Sequence, residues 1–92
     1  MISVTHSISI SEHVVARKVG EDMVLLNLES GQYFGLDTIG ARVWEILESK
    51  PQTLSEIGAV IHDEYDAPRG EIENDLVLLA NALLDKKLIV AD

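Results

Sequence analysis

Met23-Val24-Leu25-Leu26-Asn27-Leu28-Glu29-Ser30-Gly31-Gln32-Tyr33-Phe34-Gly35-Leu36 is the stretch on which the fold turns. Two β-prone runs, Met23 to Leu28 and Tyr33 to Leu36, flank a turn of Glu29, Ser30, Gly31 and Gln32, which reads as a hairpin. Upstream, Gly20-Glu21-Asp22 makes another turn, preceded by the β-branched run Val14 to Val19. Together these segments predict a small antiparallel sheet. Further upstream, Ile2, Val4, Ile8 and Ile10 alternate with small polar residues from Ser3 to Ser9, a strand pattern.

Beyond Asp37 the apolar period changes from two to about 3.6. Thr38 can cap a first helix over about 39–49, with Ile39, Val43, Ile46 and Leu47 on one face and Trp44 beside them in the core. Ser49-Lys50-Pro51 ends it. Thr53-Leu54-Ser55-Glu56 has capping-box spacing, and Leu54, Ile57, Ile61 and Tyr65 line a second helix. Asp66 to Gly70 reads as a loop. A third helix follows from Glu71 to about Lys86, with acids in its first turns and Lys86-Lys87 at its end, as the macrodipole prefers. Leu88-Ile89-Val90 is a candidate closing strand. The expected class is α+β: a three-stranded antiparallel sheet followed by three helices, winged helix-turn-helix-like, in one domain over residues 1–92.

Composition narrows the function. Hydrophobic residues make up 47% of the 92 and charged residues 25%, ordinary for a globular domain. There is no cysteine, hence no disulfide or thiolate metal site, which fits a reducing cytosol. The first residues lack the basic and apolar segments of a secretion signal, and no long apolar run suits a membrane, so a cytoplasmic location is expected. Sixteen acids against seven bases give a net charge of −9, which repels a phosphate backbone and favours basic peptides or proteins. His6, His13 and His62 share no metal-ligand spacing, no Gly-x-Ser-x-Gly elbow occurs, and no glycine pattern cradles a phosphate. The expectation is a binding module, not an enzyme, without metal or cofactor.

The third helix stands out. From Leu76 to Leu84 all but Asn81 are apolar. Ile72, Leu76, Leu79 and Leu83 form a stripe that Val77, Ala80 and Leu84 widen to roughly 160°, against about 100° for a usual surface helix. Either the helix is wedged between sheet and neighbours, or part of this face floors an open groove. The strand Tyr33 to Leu36 offers the opposite wall, because a sheet edge exposes backbone groups that accept an extended peptide. Phe34 and Leu36 are expected to face inward and Tyr33 outward.

In this order, His13-Val14-Val15-Ala16-Arg17, the Met23 to Asp37 hairpin, Gly40-Ala41-Arg42-Val43-Trp44 and Asp75-Leu76 through Leu83-Leu84 resemble the PqqD-like family of peptide-recognition elements. The likeness spans about residues 8–90 and is strongest to the stand-alone members of lasso peptide biosynthesis. It implies binding of a precursor's leader as an added strand, with delivery to a separate leader peptidase and then a cyclase. It also implies leader Tyr and Pro side chains in apolar pockets. Tyr33, Phe34, Gly35 and Leu36 would pair with the leader, Leu28, Leu76, Leu79 and Leu83 would line pockets, and Asp75 would hydrogen-bond a leader side chain or meet a basic one. One departure is Lys86-Lys87, where such proteins often carry a small residue or Gly.

Three other roles fit the same residues less well or equally. A peptide chaperone for a radical SAM enzyme, as in pyrroloquinoline quinone biosynthesis, uses the same fold and groove. An acidic protein-binding subunit would need no free sheet edge. A winged-helix regulator would need a basic recognition helix, whereas Glu71, Glu73 and Asp75 open the third helix here.

Overall fold

The computed structural model describes residues 3–91, so Ile2, the first member of the alternating run, lies outside the described residues. The hairpin reading corresponds to strands β2 (Val14–Val19), β3 (Asp22–Asn27) and β4 (Tyr33–Leu36), which form an antiparallel sheet in the order β2-β3-β4. Gly20 and Gly31 occupy the two turns at φ +64° and +74°, backbone that side chains with a Cβ rarely adopt. Met23, Leu25 and Asn27 face the core with Phe34 and Leu36, while Val15, Val24, Leu26 and Tyr33 face out.

Helices α1 (Thr38–Ser49), α2 (Leu54–Glu64) and α3 (Arg69–Asp85) cover the inner face. The α+β class with a three-stranded sheet and three helices is therefore as expected, with one addition. The N-terminal strand β1 (Ser7–Ile10) does not join the hairpin sheet. It lies between β5 (Gln52–Thr53) and β6 (Ile89–Ala91) in a second small sheet. That sheet ties both ends of the domain to the α1–α2 connection through Ile8, which is buried. The core gathers Ile8, Leu25, Trp44, Leu54, Ile57, Ile61, Leu83, Leu88 and Ile89, and each large side chain so buried stabilises the fold by about 1.5–3 kcal/mol.

Helix ends are set by local hydrogen bonds, and two differ from expectation. Asp37, not Thr38, caps α1: its Oδ1 accepts the Gly40 amide at 2.8 Å. Asp37 directly follows β4 and keeps extended backbone, so Thr38 is drawn into the first turn. Helix α3 begins two residues before Glu71, at Arg69: Pro68 stands at the N-cap in extended backbone and its carbonyl accepts the Ile72 amide at 3.1 Å, while Arg69 bonds Glu73 four residues on at 3.1 Å. At α2 the capping box is complete, with Thr53 and Glu56 each accepting the other's amide.

The end of α3 forms a Schellman motif. Leu88 N–H donates to Leu83 O at 2.9 Å and Lys87 N–H to Leu84 O at 3.0 Å, while the buried side chains of Leu83 and Leu88 close the turn. Lys87 takes the left-handed conformation, φ 57°, at the position where Gly is preferred. Lys87→Gly is therefore expected to raise stability by about 1 kcal/mol, seen as a higher urea midpoint at unchanged m-value. A lower midpoint would contradict this account of the turn.

Arg42 on α1 grips Glu64 at the end of α2 in a two-pronged pair, Nε to Oε1 at 2.8 Å and Nη2 to Oε2 at 2.7 Å. This hydrogen bonding holds the Glu64 carboxyl below its ordinary 4.5, as the Thr53 backbone amide does for Glu56. Because both folded values lie below the unfolded value, their stabilisation is complete above about pH 4.5 and disappears as pH falls through the folded values. Thermal melts on the acid side should show a smaller loss of Tm for Glu64→Gln than for the native chain, and an equal loss would mean the pair contributes nothing.

Candidate functional site

Edge strands need protection, and the two edges of the hairpin sheet differ in it. On β2, Arg17 and Lys18 place charge along the outer edge, which discourages further pairing. On β4 the edge is Tyr33-Phe34-Gly35-Leu36, without charge or proline. The register decides which backbone groups remain open. Asn27 N–H donates to Gln32 O at 3.0 Å, and pairing proceeds as Leu26 with Tyr33, Leu25 with Phe34, Val24 with Gly35 and Met23 with Leu36. Hydrogen-bonded pairs alternate in an antiparallel ladder, so Phe34 and Leu36 direct their amides and carbonyls to β3. Those of Tyr33 and Gly35 point away from it.

Alongside this edge runs a groove of about 390 Å³. One wall is Phe34, Gly35 and Leu36 of β4; the other is Ile72, Asp75, Leu76 and Leu79 of α3 with Glu71 at the rim. The ends are closed by Ile39, Gly40 and Val43 of α1 and by Ile61, Tyr65 and Ala67 at and beyond the end of α2. Gly40 permits the close approach of α1 to β4: a Cβ there would stand 3.2 Å from Leu36 Cβ and Cδ2. The volume is in the range of small-ligand pockets, and its walls are mainly apolar.

The structure thus brings together six of the nine residues singled out from the sequence: Phe34, Gly35, Leu36, Asp75, Leu76 and Leu79. The other three lie elsewhere. Leu83 is 2% exposed, inside the core one turn beyond the groove. Tyr33 (69% exposed) stands on the outer face of the sheet and Leu28 (61% exposed) just past the end of β3, so neither side chain lines the groove. On α3 the core stripe runs through Ile72, Leu76, Ala80 and Leu83, and Leu79 is left half-buried at its margin. Here both expectations for the apolar face hold in part, since one side is wedged in the core and the other opens to the groove.

Sequence reasoning missed the end walls. Ile39 and Tyr65 were placed on core stripes, yet Ile39 is 44% exposed and Tyr65 sits half-buried at the C-cap of α2. A large apolar residue in the first turn of one helix and an aromatic just past the end of the next were the available signals. Among the described residues no cluster of His, Asp and Glu could hold a metal ion, and no helix is long and apolar enough to cross a membrane.

Among solved structures, the chain is similar to TbiB1 in complex with the TbiA(beta) leader peptide, at 40% identity and a TM-score of 0.83, covering 91% of this chain and 99% of that one. It shares its fold with lasso peptide synthetase B1 complexed with the leader peptide, at 20% identity and a TM-score of 0.78, covering 90% of this chain and 96% of that one. No curated protein sequence matches it significantly. A family model described as coenzyme PQQ synthesis protein D (PqqD) matches residues 22–89, from the start of β3 into β6, and the chain therefore belongs to the PqqD family.

Proposed function

We propose that this domain binds the leader segment of a ribosomally made precursor peptide, of the lasso peptide kind, and presents it to a separate leader peptidase and then a cyclase in the cytoplasm. The reading is carried by the unpaired amides and carbonyls of Tyr33 and Gly35 next to an apolar groove. An extended leader adds to the sheet as a fourth strand beside β4, where main-chain bonds supply affinity and alternate side chains enter the groove. The relative at 40% identity that is complexed with a leader peptide supports the same ligand class. Binding and presentation are the whole activity, with bond-making and bond-breaking left to the partners.

A second reading is favoured by the family description: the same groove serving a chaperone for a radical enzyme of cofactor maturation. The two differ in the downstream enzyme rather than in the groove.

Fluorescence polarisation of a labelled leader from the neighbouring precursor gene, with a scrambled peptide and duplex DNA as controls, tests the proposal. Saturable binding of the leader alone is expected, at roughly micromolar Kd or tighter, about −8 kcal/mol. Leu79→Asp puts a charge into the groove's apolar side and is expected to weaken binding at least about tenfold, by analogy with the cost of desolvating an unpaired charge. Because Leu79 is only half-buried, the variant should keep its native circular dichroism. A folded Leu79→Asp variant that binds as tightly as the native chain would place the peptide elsewhere. Absence of leader binding by the folded native domain would sink the reading.

A further inference from the structure

The outer face of the hairpin sheet, turned away from the helices, carries Val15, Val24, Leu26 and Tyr33, each exposed or half-buried. On the edge strand this apolar surface breaks off at Gly35. Gly35 pairs with Val24 and follows Tyr33 by two residues, so a side chain at this position would stand on the outer face beside those two. A Cβ at Gly35 would have no atom within 4 Å. A notch therefore opens at the rim of the sheet, walled by Val24 and Tyr33.

Nothing in the free domain requires this glycine. Gly20 and Gly31 take positive φ and Gly40 lies against Leu36, whereas Gly35 is under neither constraint. Within a strand a glycine gives up packing and adds chain entropy to the unfolded state, and a β-branched or aromatic residue suits a pleated face better. Such a glycine marks a place where another chain comes close. The register says where that chain's side chain falls. The amide and carbonyl of Gly35 point away from β3, so a strand added at this edge sets one residue directly across from Gly35, with Cα atoms about 5.5 Å apart. Paired residues share a face, so that side chain points away from the groove and into the space above Gly35. Its neighbours in the added strand, opposite Phe34 and Leu36, enter the groove.

We infer that Gly35 forms a second subsite, on the opposite face of the sheet from the groove, for an aromatic side chain of the bound leader. A flat ring covers the bare backbone of an edge glycine and reaches the Tyr33 ring, which stands diagonal to it, while Val24 backs it from β3. This inference rests on the leader-binding reading and adds a side chain that the groove does not read. The outward aromatic lies an odd number of positions from the residues that fill the groove. Gly35 acts as a specificity residue through the side chain it leaves out.

Stability and binding should respond in opposite directions. Ordinary strand backbone with open space accepts a side chain, so Gly35→Ala and Gly35→Val should unfold at urea midpoints no lower than that of the native chain. The fluorescein-labelled leader should nonetheless bind them more weakly, by about twofold for Ala and at least about fivefold for Val, as the notch fills. Leaders with one residue at a time changed to Ala are then titrated against the native chain, Gly35→Val and Leu79→Ala. One aromatic position should lose about fivefold with the native chain and be nearly silent with Gly35→Val. It should lie at an odd spacing from the positions silenced by Leu79→Ala. A lowered midpoint for Gly35→Ala would show that the fold itself needs the glycine. Unchanged leader affinity of the folded Val variant, losses that add at every aromatic position, or coupling at an even spacing would show the notch empty in the complex. Each of these overturns the subsite while leader binding by the native chain stands. No binding of the leader to the folded native chain would remove both.

Discussion

Asn27 holds the two walls of the groove at a fixed relation. It is buried at the end of β3, where its Nδ2 donates to Lys86 O at 3.1 Å while its Oδ1 accepts the amides of Glu29 and Ser30 at 2.9 and 3.2 Å. One side chain therefore shapes the β3–β4 turn and ties that turn to the end of α3. Such a residue is difficult to replace, because an apolar substitute would leave amides and carbonyls with partners lost, at about 1–3 kcal/mol for each that stays buried. At the other end of the walls, the contact of Gly40 with Leu36 sets α1 against β4. Between these two fixed points the edge of β4 and the margin of α3 stay apart, and the groove is what lies between them.

The groove persists because the elements that could fill it are occupied elsewhere. Leu83, Ala80, Leu76 and Ile72 commit α3 to the core on one side, the second sheet holds both chain ends, and the Arg42 pair fixes the end of α2 against α1. Leu79 and Ile39 are left partly in water. Apolar surface next to open strand backbone favours an occupant that is extended and carries alternate apolar side chains, which is the form a peptide takes when it adds to a sheet edge.

Much of this was legible in the sequence where the determinant is local. The turn glycines and alternating strands announce the hairpin, and Thr53 with Glu56 announces the start of α2. Phe34, Leu36, Leu76 and Leu79 could be named as facing residues from periodicity and resemblance together. What escaped reading depends on distance along the chain. Asn27 looks like a turn residue, yet it bonds a carbonyl 59 positions away. The pairing of β1 with β5 and β6 joins segments whose short apolar runs carry no mark of their partner. Ile39 and Tyr65 fit core stripes by period and line the groove only because α1 and α2 meet there. Leu83 shares the stripe of Leu79 but lies one turn further along the helix, where the walls have closed.

Amide hydrogen exchange by NMR on the free and leader-bound domain tests the central claim most directly. In the free domain the amides of Phe34 and Leu36 should be protected by β3 and those of Tyr33 and Gly35 should exchange quickly. Leader binding should protect Tyr33 and Gly35 selectively, as a strand added to β4 requires. Fast exchange at both positions in the saturated complex would contradict strand addition at this edge.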